Sequence, residues 1–297
     1  MHEKPCKAAG CYFNAIYNSD FCWQHTVDKD GYRQQISTLV KKGHKFEQAN
    51  FAKVNFGEVD FSGGIFLQSN FNGVNFREAR LERANFNGCT FRRANLENSS
   101  LIKSHLVATN FEGAHLHGSE LVEVDVQESI LNYANLGYAN LKDANLFKAQ
   151  ASHARFIRTN LERAILSRGN FAYAVFYGSF AKGVKGELAI LGGSLLWETN
   201  FEGADFNRAN FVGCDARESI FKKANLHFIR AGGANFSYAN FESADLTRAI
   251  CREADFTQAI FIKAKIDGAV FERAKLILIT PEKVDFTRAA NIQGAEF

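Results

Sequence analysis

Proline is nearly absent from this 297-residue sequence, with 2 residues, and methionine and tryptophan are scarce, with 1 and 2. No stretch approaches the 18 or so consecutive apolar residues of a membrane-spanning helix, and the opening MHEKPCKAAG has no apolar core behind its charges. Neither a bilayer nor a secretory signal is therefore expected; a soluble, cytoplasmic protein is. The common catalytic signatures are missing too: no Gly-rich phosphate loop ending in Lys-Ser/Thr, no HExxH and no GxSxG. The expectation is a protein without enzymatic activity. A disulfide framework is also absent. Cys6, Cys11 and Cys22 cluster near the start, whereas Cys89, Cys214 and Cys251 lie far apart at positions that a repeat should bury, which favours reduced thiols.

Excess charge is lacking over most of the chain. The formal net charge is +3, and residues 1–45 hold all of it, with 7 Lys/Arg against 4 Asp/Glu; the remainder carries 28 of each sign. What is abundant is phenylalanine, 29 residues, and a bias of that size reflects an architecture that reuses one position many times. Stepping by five from Phe46 to Phe286 visits 49 positions, of which 23 are Phe and 17 are Leu. Two residues before each stands a small side chain, as in Ala49, Val54, Ala84, Ala134 and Ala244; His44, just ahead of the array, and Ile229 and Ile279 are bulky exceptions. The residue between is often Asn or Asp, as in Asn50, Asp60, Asn95 and Asp245.

A period of five fits neither the helix nor the strand repeat, so the chain must turn once per unit. One large and one small inward residue fill a coil, and Asn or Asp supplies the turn chemistry. The segments ANFNGCTFRRANLENSSL and ANLGYANLKDANLFKA resemble the pentapeptide-repeat family. That resemblance covers roughly 80% of the chain and implies an all-β solenoid, a right-handed quadrilateral β-helix with four units per coil. Carried over, it gives about 12 coils and a rod about 58 Å long at a strand spacing of about 4.8 Å. The domain reading is a zinc-binding module over 1–29, a capping helix over 30–45 and the repeat rod over 46–297. The repeat is weakest over Tyr177–Asn200, where Ala181 and Gly186 take central positions, so either the coils thin or a loop leaves the rod.

A solenoid must blunt its open ends. Asp30 is positioned to cap a helix carrying Tyr32, Ile36, Leu39 and Val40 at i, i+4, i+7 and i+8, closed by Gly43, as a lid on the first coil. The C-terminal end shows an apolar run from Leu276 to Ile279, then Pro281 and an extra residue at Ala289-Ala290, with no lid. A homodimer joined through that uncapped end is the simplest expectation.

Cys6-x4-Cys11-x10-Cys22-x2-His25 sets three thiols and an imidazole within twenty residues, a donor set suited to tetrahedral structural Zn²⁺ with no open catalytic position. His2 is an alternative to His25. The pattern resembles a small zinc motif found beside phage and bacterial nuclease domains and in some eukaryotic regulators. The other histidines and the carboxylates read as solvated surface: His105 and His115 face opposite ways, and His117, His153 and His227 have no ligand column beside them.

At twenty residues per coil, outward columns can be followed. Tyr133, His153 and Tyr173 form one; Ile157, Tyr177 and Trp197 form the column of the next face, with Arg155, Arg158 and Arg168 nearby. Such a cluster matches the composition of an interface centre, and it matches equally an aromatic stack that merely stiffens the rod. Arg168, Arg208, Arg248 and Arg288 make a sparser column, alternating with Leu188, Phe228 and Gly268. The function expected first is a protein-binding scaffold or regulator with an unidentified protein partner. The resemblance implies a second, imitation of duplex DNA to protect type II topoisomerases such as gyrase, which a charge-neutral rod suits poorly. A third is nucleic-acid contact through Lys4, Lys7 and the zinc module, for which three net charges are a weak footprint.

Overall fold

A computed structural model describes residues 4–279 and 284–297; His2 and Pro281, singled out above, lie outside the described residues. From Lys45 onward each bridging residue pairs in parallel with the residue twenty later, from Lys45↔Ile65 through Asn140↔Asn160 to Asp255↔Lys275. Four pentapeptides thus complete one turn of a β-solenoid. Each side of the coil is too short for more than one bridged residue, except at β1 (Lys45–Glu47) and β2 (Ile65–Leu67).

The local chemistry of one unit explains the repeat. After the inward Phe91, Arg93 takes a left-handed φ of 54°, and the Ala94 N–H closes the turn onto the Phe91 carbonyl at 3.0 Å. Such a φ costs a non-glycine residue about 1–2 kcal/mol. The Arg93 N–H offsets part of that cost by donating to Glu112 O of the next coil at 3.0 Å. Asn95 then accepts the N–H of Glu97, two residues on, at 3.0 Å. An Asx turn of this kind satisfies an N–H that the coil-to-coil ladder leaves over, which is why Asn and Asp dominate that position.

The inward rings stack in register. Phe46, Phe66 and Phe86 lie 4.8 and 5.1 Å apart with planes within 10°, and Phe51, Phe71, Phe91 and Phe111 repeat the pattern. Through 177–200 the chain stays in the coil, with Gly178 N–H on Trp197 O at 3.2 Å and Phe180 bridged to Asn200. No loop leaves the rod there. A Cβ on Gly186 would come within 2.4 Å of the Phe206 ring, so the ring of the next coil fills what the glycine leaves empty.

The first coil is covered by α1 (Lys29–Lys41), which buries Tyr32, Ile36 and Val40, with Leu39 packed beside them. Its N-cap is Asp28, which accepts the Gly31 N–H at 2.8 Å; Asp30, the cap expected from sequence, lies in the first turn and pairs with Arg33. Gly31 decides between the two aspartates, because any Cβ there would strike the Asp28 carboxylate at 2.1 Å. Gly43, at φ +74°, closes the other end with its N–H on Val40 O.

At the far end the extra residue shifts the pairing by one, to Val270↔Asn291 and Lys275↔Glu296. Phe286 is buried edge-on against Phe261 and Phe271, whereas Ile292 and Phe297 remain exposed, and no second α-helix occurs among the described residues. None of the described helices is long and apolar enough to cross a membrane.

Candidate metal centre and outer columns

The N-terminal segment is folded by short-range contacts into a knuckle. Pro5 bridges antiparallel to Asn14, the Cys11 N–H turns back onto Ala8 O, and a 3-10 turn at Trp23–His25 follows Cys22. These contacts bring Cys6 Sγ, Cys11 Sγ, Cys22 Sγ and a His25 ring nitrogen within 4.8 Å of one another. A tetrahedral zinc ion, with Zn–S about 2.3 Å and Zn–N about 2.0–2.1 Å, requires S···S separations of about 3.8 Å and S···N of about 3.5 Å. Cys11 and Cys22 are 3.7 Å apart, and His25 Nδ1 stands 3.5 Å from Cys6 and 3.3 Å from Cys22. Three of the separations already match those distances, so the four groups are placed to hold a metal ion. Burial pushes the Cys6 thiol up, but the backbone N–H groups of Cys22 and Ala8, with the His25 and Cys11 side chains, bring it down to about 6, where a thiolate ligand is available.

The knuckle is fastened to the rod. The Tyr17 N–H donates to Asn50 O at 2.6 Å, Asn50 Nδ2 donates to Ala15 O at 2.8 Å, and the Tyr17 ring meets Phe46 edge-on. The Tyr32 hydroxyl of α1 donates to Tyr17 O at 3.0 Å, joining helix, knuckle and first coil. Lys4 and Lys7, the cations considered for nucleic-acid contact, both pair with Asp20. They hold that exposed carboxyl down at about 2.

The remaining thiols are core groups. Burial raises Cys89 and Cys251 to about 12 and raises Cys214 as well. A thiol reagent at pH 8 is therefore expected to modify only Cys6, Cys11 and Cys22 in chelator-treated folded protein, and all six cysteines after denaturation. Rapid labelling of Cys214 without unfolding would contradict the buried ladder.

On the outer surface the two predicted aromatic columns form one patch. Tyr133, His153 and Tyr173 stack at 5.1 and 5.2 Å with planes within 11°, and Tyr173 lies over Gly193, where any Cβ would clash. Tyr177 and Trp197 pack at 4.5 Å, with Arg158 over the first ring and Arg217 over the second. Tyr173 and Tyr177, at the turns on either side of the bridged Val175, border one side of the coil, and the bridges Arg155↔Val175↔Leu195 align the next coils with it. Ile157 completes the patch, which is stacked ring on ring and presents edges rather than free faces. Arg168 does not belong to it: it stands one pentapeptide earlier in the coil, at the preceding corner.

Sequence reasoning missed another column. Lys142, Glu162, Lys182, Glu202, Lys222 and Glu242 follow one another up a single edge, with ion pairs of 3.2, 3.2 and 2.9 Å within successive couples. Reading charge sign at a spacing of twenty would have found it. Cross-coil pairs such as Arg92–Glu112, Lys103–Glu123 and Arg273–Glu253 extend the same scheme to other edges.

By sequence, the chain matches the family model described as Pentapeptide repeats in 8 copies, including residues 69–107, 109–146, 144–180, 189–222, 199–237, 224–262 and 234–273. No match emerges among curated proteins. Among solved structures it is similar to HetL, a pentapeptide repeat protein involved in heterocyst differentiation regulation from the cyanobacterium Nostoc sp. strain PCC 7120. That likeness is at 22% identity, covers 80% of this chain and 96% of that one, and has a TM-score of 0.47. Trypsin-treated QnrB1, a plasmid-mediated fluoroquinolone resistance protein, aligns at 17% identity over 81% of this chain and 89% of its own, with a TM-score of 0.32. A pentapeptide repeat protein from the Arabidopsis thaliana thylakoid lumen aligns at 22% identity over 38% of this chain and 68% of its own, with a TM-score of 0.23. At these scores the neighbours carry no argument about function.

Proposed function

Because the chain belongs to the pentapeptide-repeat family, we propose that it is a non-enzymatic protein-interaction scaffold, a rod of about 12 coils whose N-terminal lid is held by a structural zinc ion. The observation that carries this reading is the aromatic patch. Tyr173, Val175 and Tyr177, set against Leu195 and Trp197, make a contiguous apolar surface rimmed by Arg155, Arg158 and Arg217. Other edges of the rod are zipped by opposite charges, as from Lys142 to Glu242. Aromatic residues framed by arginine are what interface centres concentrate.

The same charge pattern weighs against imitation of DNA. A duplex presents one negative charge per about 1.7 Å of its axis, and a column that alternates Lys and Glu from Lys142 to Glu242 cannot generate such a field. At the metal centre, four protein ligands fill a tetrahedral ion, and Cys6, Cys11, Cys22 and His25 would hold it as a crosslink with no position for substrate.

The test is capture of partners from the native host by wild-type protein and by a Tyr177→Ser/Trp197→Ser variant. A partner bound through this patch is expected to be lost from the variant and kept by a control altered on the Lys142–Glu162 edge. Identical capture by all three would defeat the proposal.

A further inference from the structure

The ion-pair zipper is interrupted along one corner. Arg168, Leu188, Arg208, Phe228, Arg248 and Gly268 succeed one another there at intervals of one coil. The outward residues two positions later, Asn170, Ile190, Asn210, Arg230, Ile250 and Val270, flank them on the adjoining side. These twelve positions hold four arginines and no carboxylate; Glu187 and Asp267 stand on the corner's other flank, and Asp267 pairs with Arg288 on the next rung, where the interruption ends. None of the four arginines belongs to any ion pair among the described residues. Asp205 and Asp245, three residues before Arg208 and Arg248, are engaged elsewhere: Asp205 accepts from Asn225 Nδ2 at 2.8 Å and Asp245 faces Lys265 at 3.8 Å.

Two of the arginines, Arg208 and Arg248, are also held in place. Arg208 and Arg248 come from the coils on either side of Phe228 and lie 5.6 and 5.4 Å from its ring centroid, so one aromatic ring orients two guanidinium groups. Between the cations, Leu188, Ile190 and Ile250 are 38–41% exposed, large apolar side chains left facing solvent. The corner therefore alternates cation and hydrocarbon, rung by rung.

We propose that this corner docks an acidic amphipathic α-helix of a partner protein. Rung spacing makes the choice of secondary structure. Successive rungs are about 4.8 Å apart, so arginines recur about every 9.6 Å. A helix presents side chains on one face at i, i+3 and i+7, which rise about 4.5 and 10.5 Å, close to one and two rungs. An extended strand presents them every about 6.6–6.8 Å and falls out of step by the second rung. Acidic residues at i, i+7 and i+14 then meet Arg168, Arg208 and Arg248, while apolar residues at i+3 and i+10 rest on Leu188 and Phe228. A slight tilt of the helix absorbs the remaining mismatch, as in ordinary helix-in-groove recognition. Nucleic acid is disfavoured because the cations form a short stripe broken by hydrocarbon, without a continuous basic track. The surface lies at a different corner from the aromatic patch, so either can fail without the other.

The experiment uses the full chain and a synthetic, fluorescently labelled, alanine-based helix with Glu at i, i+7 and i+14 and Leu at i+3 and i+10. Controls are the same composition in strand alternation, a version with Lys for Glu, and a short DNA duplex. The helical acidic peptide is expected to bind, more weakly as salt is raised, and about tenfold more weakly to an Arg208→Ala/Arg248→Ala variant. Its binding to Tyr177→Ser/Trp197→Ser should be unchanged. Equal binding of the alternating peptide, tighter binding of the duplex, or no difference between wild type and the arginine variant would each overturn the proposal. The peptide comparison on unaltered protein decides the matter even should the variant melt early.

Discussion

A Phe71→Ala protein is expected to lose about 3–5 kcal/mol of stability in the coils around the substitution, because a buried ring would be replaced by a void that its neighbours cannot fill. Phe71 is fully buried and stacked between Phe51 at 5.1 Å and Phe91 at 4.9 Å, with Phe66 and Phe86 edge-on against it. Each of those rings is pinned by its own coil, and the coils are tied at fixed spacing by backbone hydrogen bonds such as Phe71 N–H to Thr90 O at 2.7 Å. Collapse into the cavity would break that ladder. Since a solenoid's stability is a sum of neighbour contacts, the loss should be local. Hydrogen exchange is expected to accelerate across the coils from Phe46 to about Leu101 and to stay unchanged beyond Phe201. A uniform change along the rod would show that the coils fold as one unit.

Removing the metal should have an effect of another kind. In a Cys22→Ser protein, or after chelation, one bound equivalent of zinc is expected to disappear and residues 4–27 to lose their order, while the rod keeps its own. So short a segment has little core, and structural zinc contributes about 10–16 kcal/mol of apparent binding free energy in comparable small modules at neutral pH. Its hold on the rod and lid is a thin seam, made of Ile16, Tyr17, the Ala15–Asn50 hydrogen bond, Lys53 over the Phe13 ring and Trp23 against Tyr32, too little to order the whole segment. Limited proteolysis should then cut between Lys4 and Lys29, and elemental analysis should read near one zinc before treatment and none after. Metal-free protein that resists cleavage there would make the four ligands incidental.

Much of the rod was legible because the relevant information is local. The inward Phe or Leu, the small residue two places before it and the Asn between are each required by the geometry of a single turn, so each leaves its mark at every fifth position. The cluster of three thiols and an imidazole was legible for the same reason, since Cys22 and His25 share one turn and Cys6 and Cys11 flank another. The helix cap was misplaced by two residues because Asp28 and Asp30 look alike in sequence, and only the carboxylate's approach to Gly31 separates them. The Lys–Glu edge escaped notice because its partners are twenty residues apart and belong to no local pattern.

By itself, then, the sequence determined that the chain coils with a period of five, which residues face inward, and that three thiols and an imidazole gather at its start. Only the tertiary structure decided that the chain stays in the coil through 177–200, and that Tyr173, Val175 and Tyr177 share one patch from which Arg168 is set apart. The physical reason is the parallel stacking of four units per turn. It makes neighbours of residues twenty apart, so the outer surface is assembled by contacts that no single unit specifies.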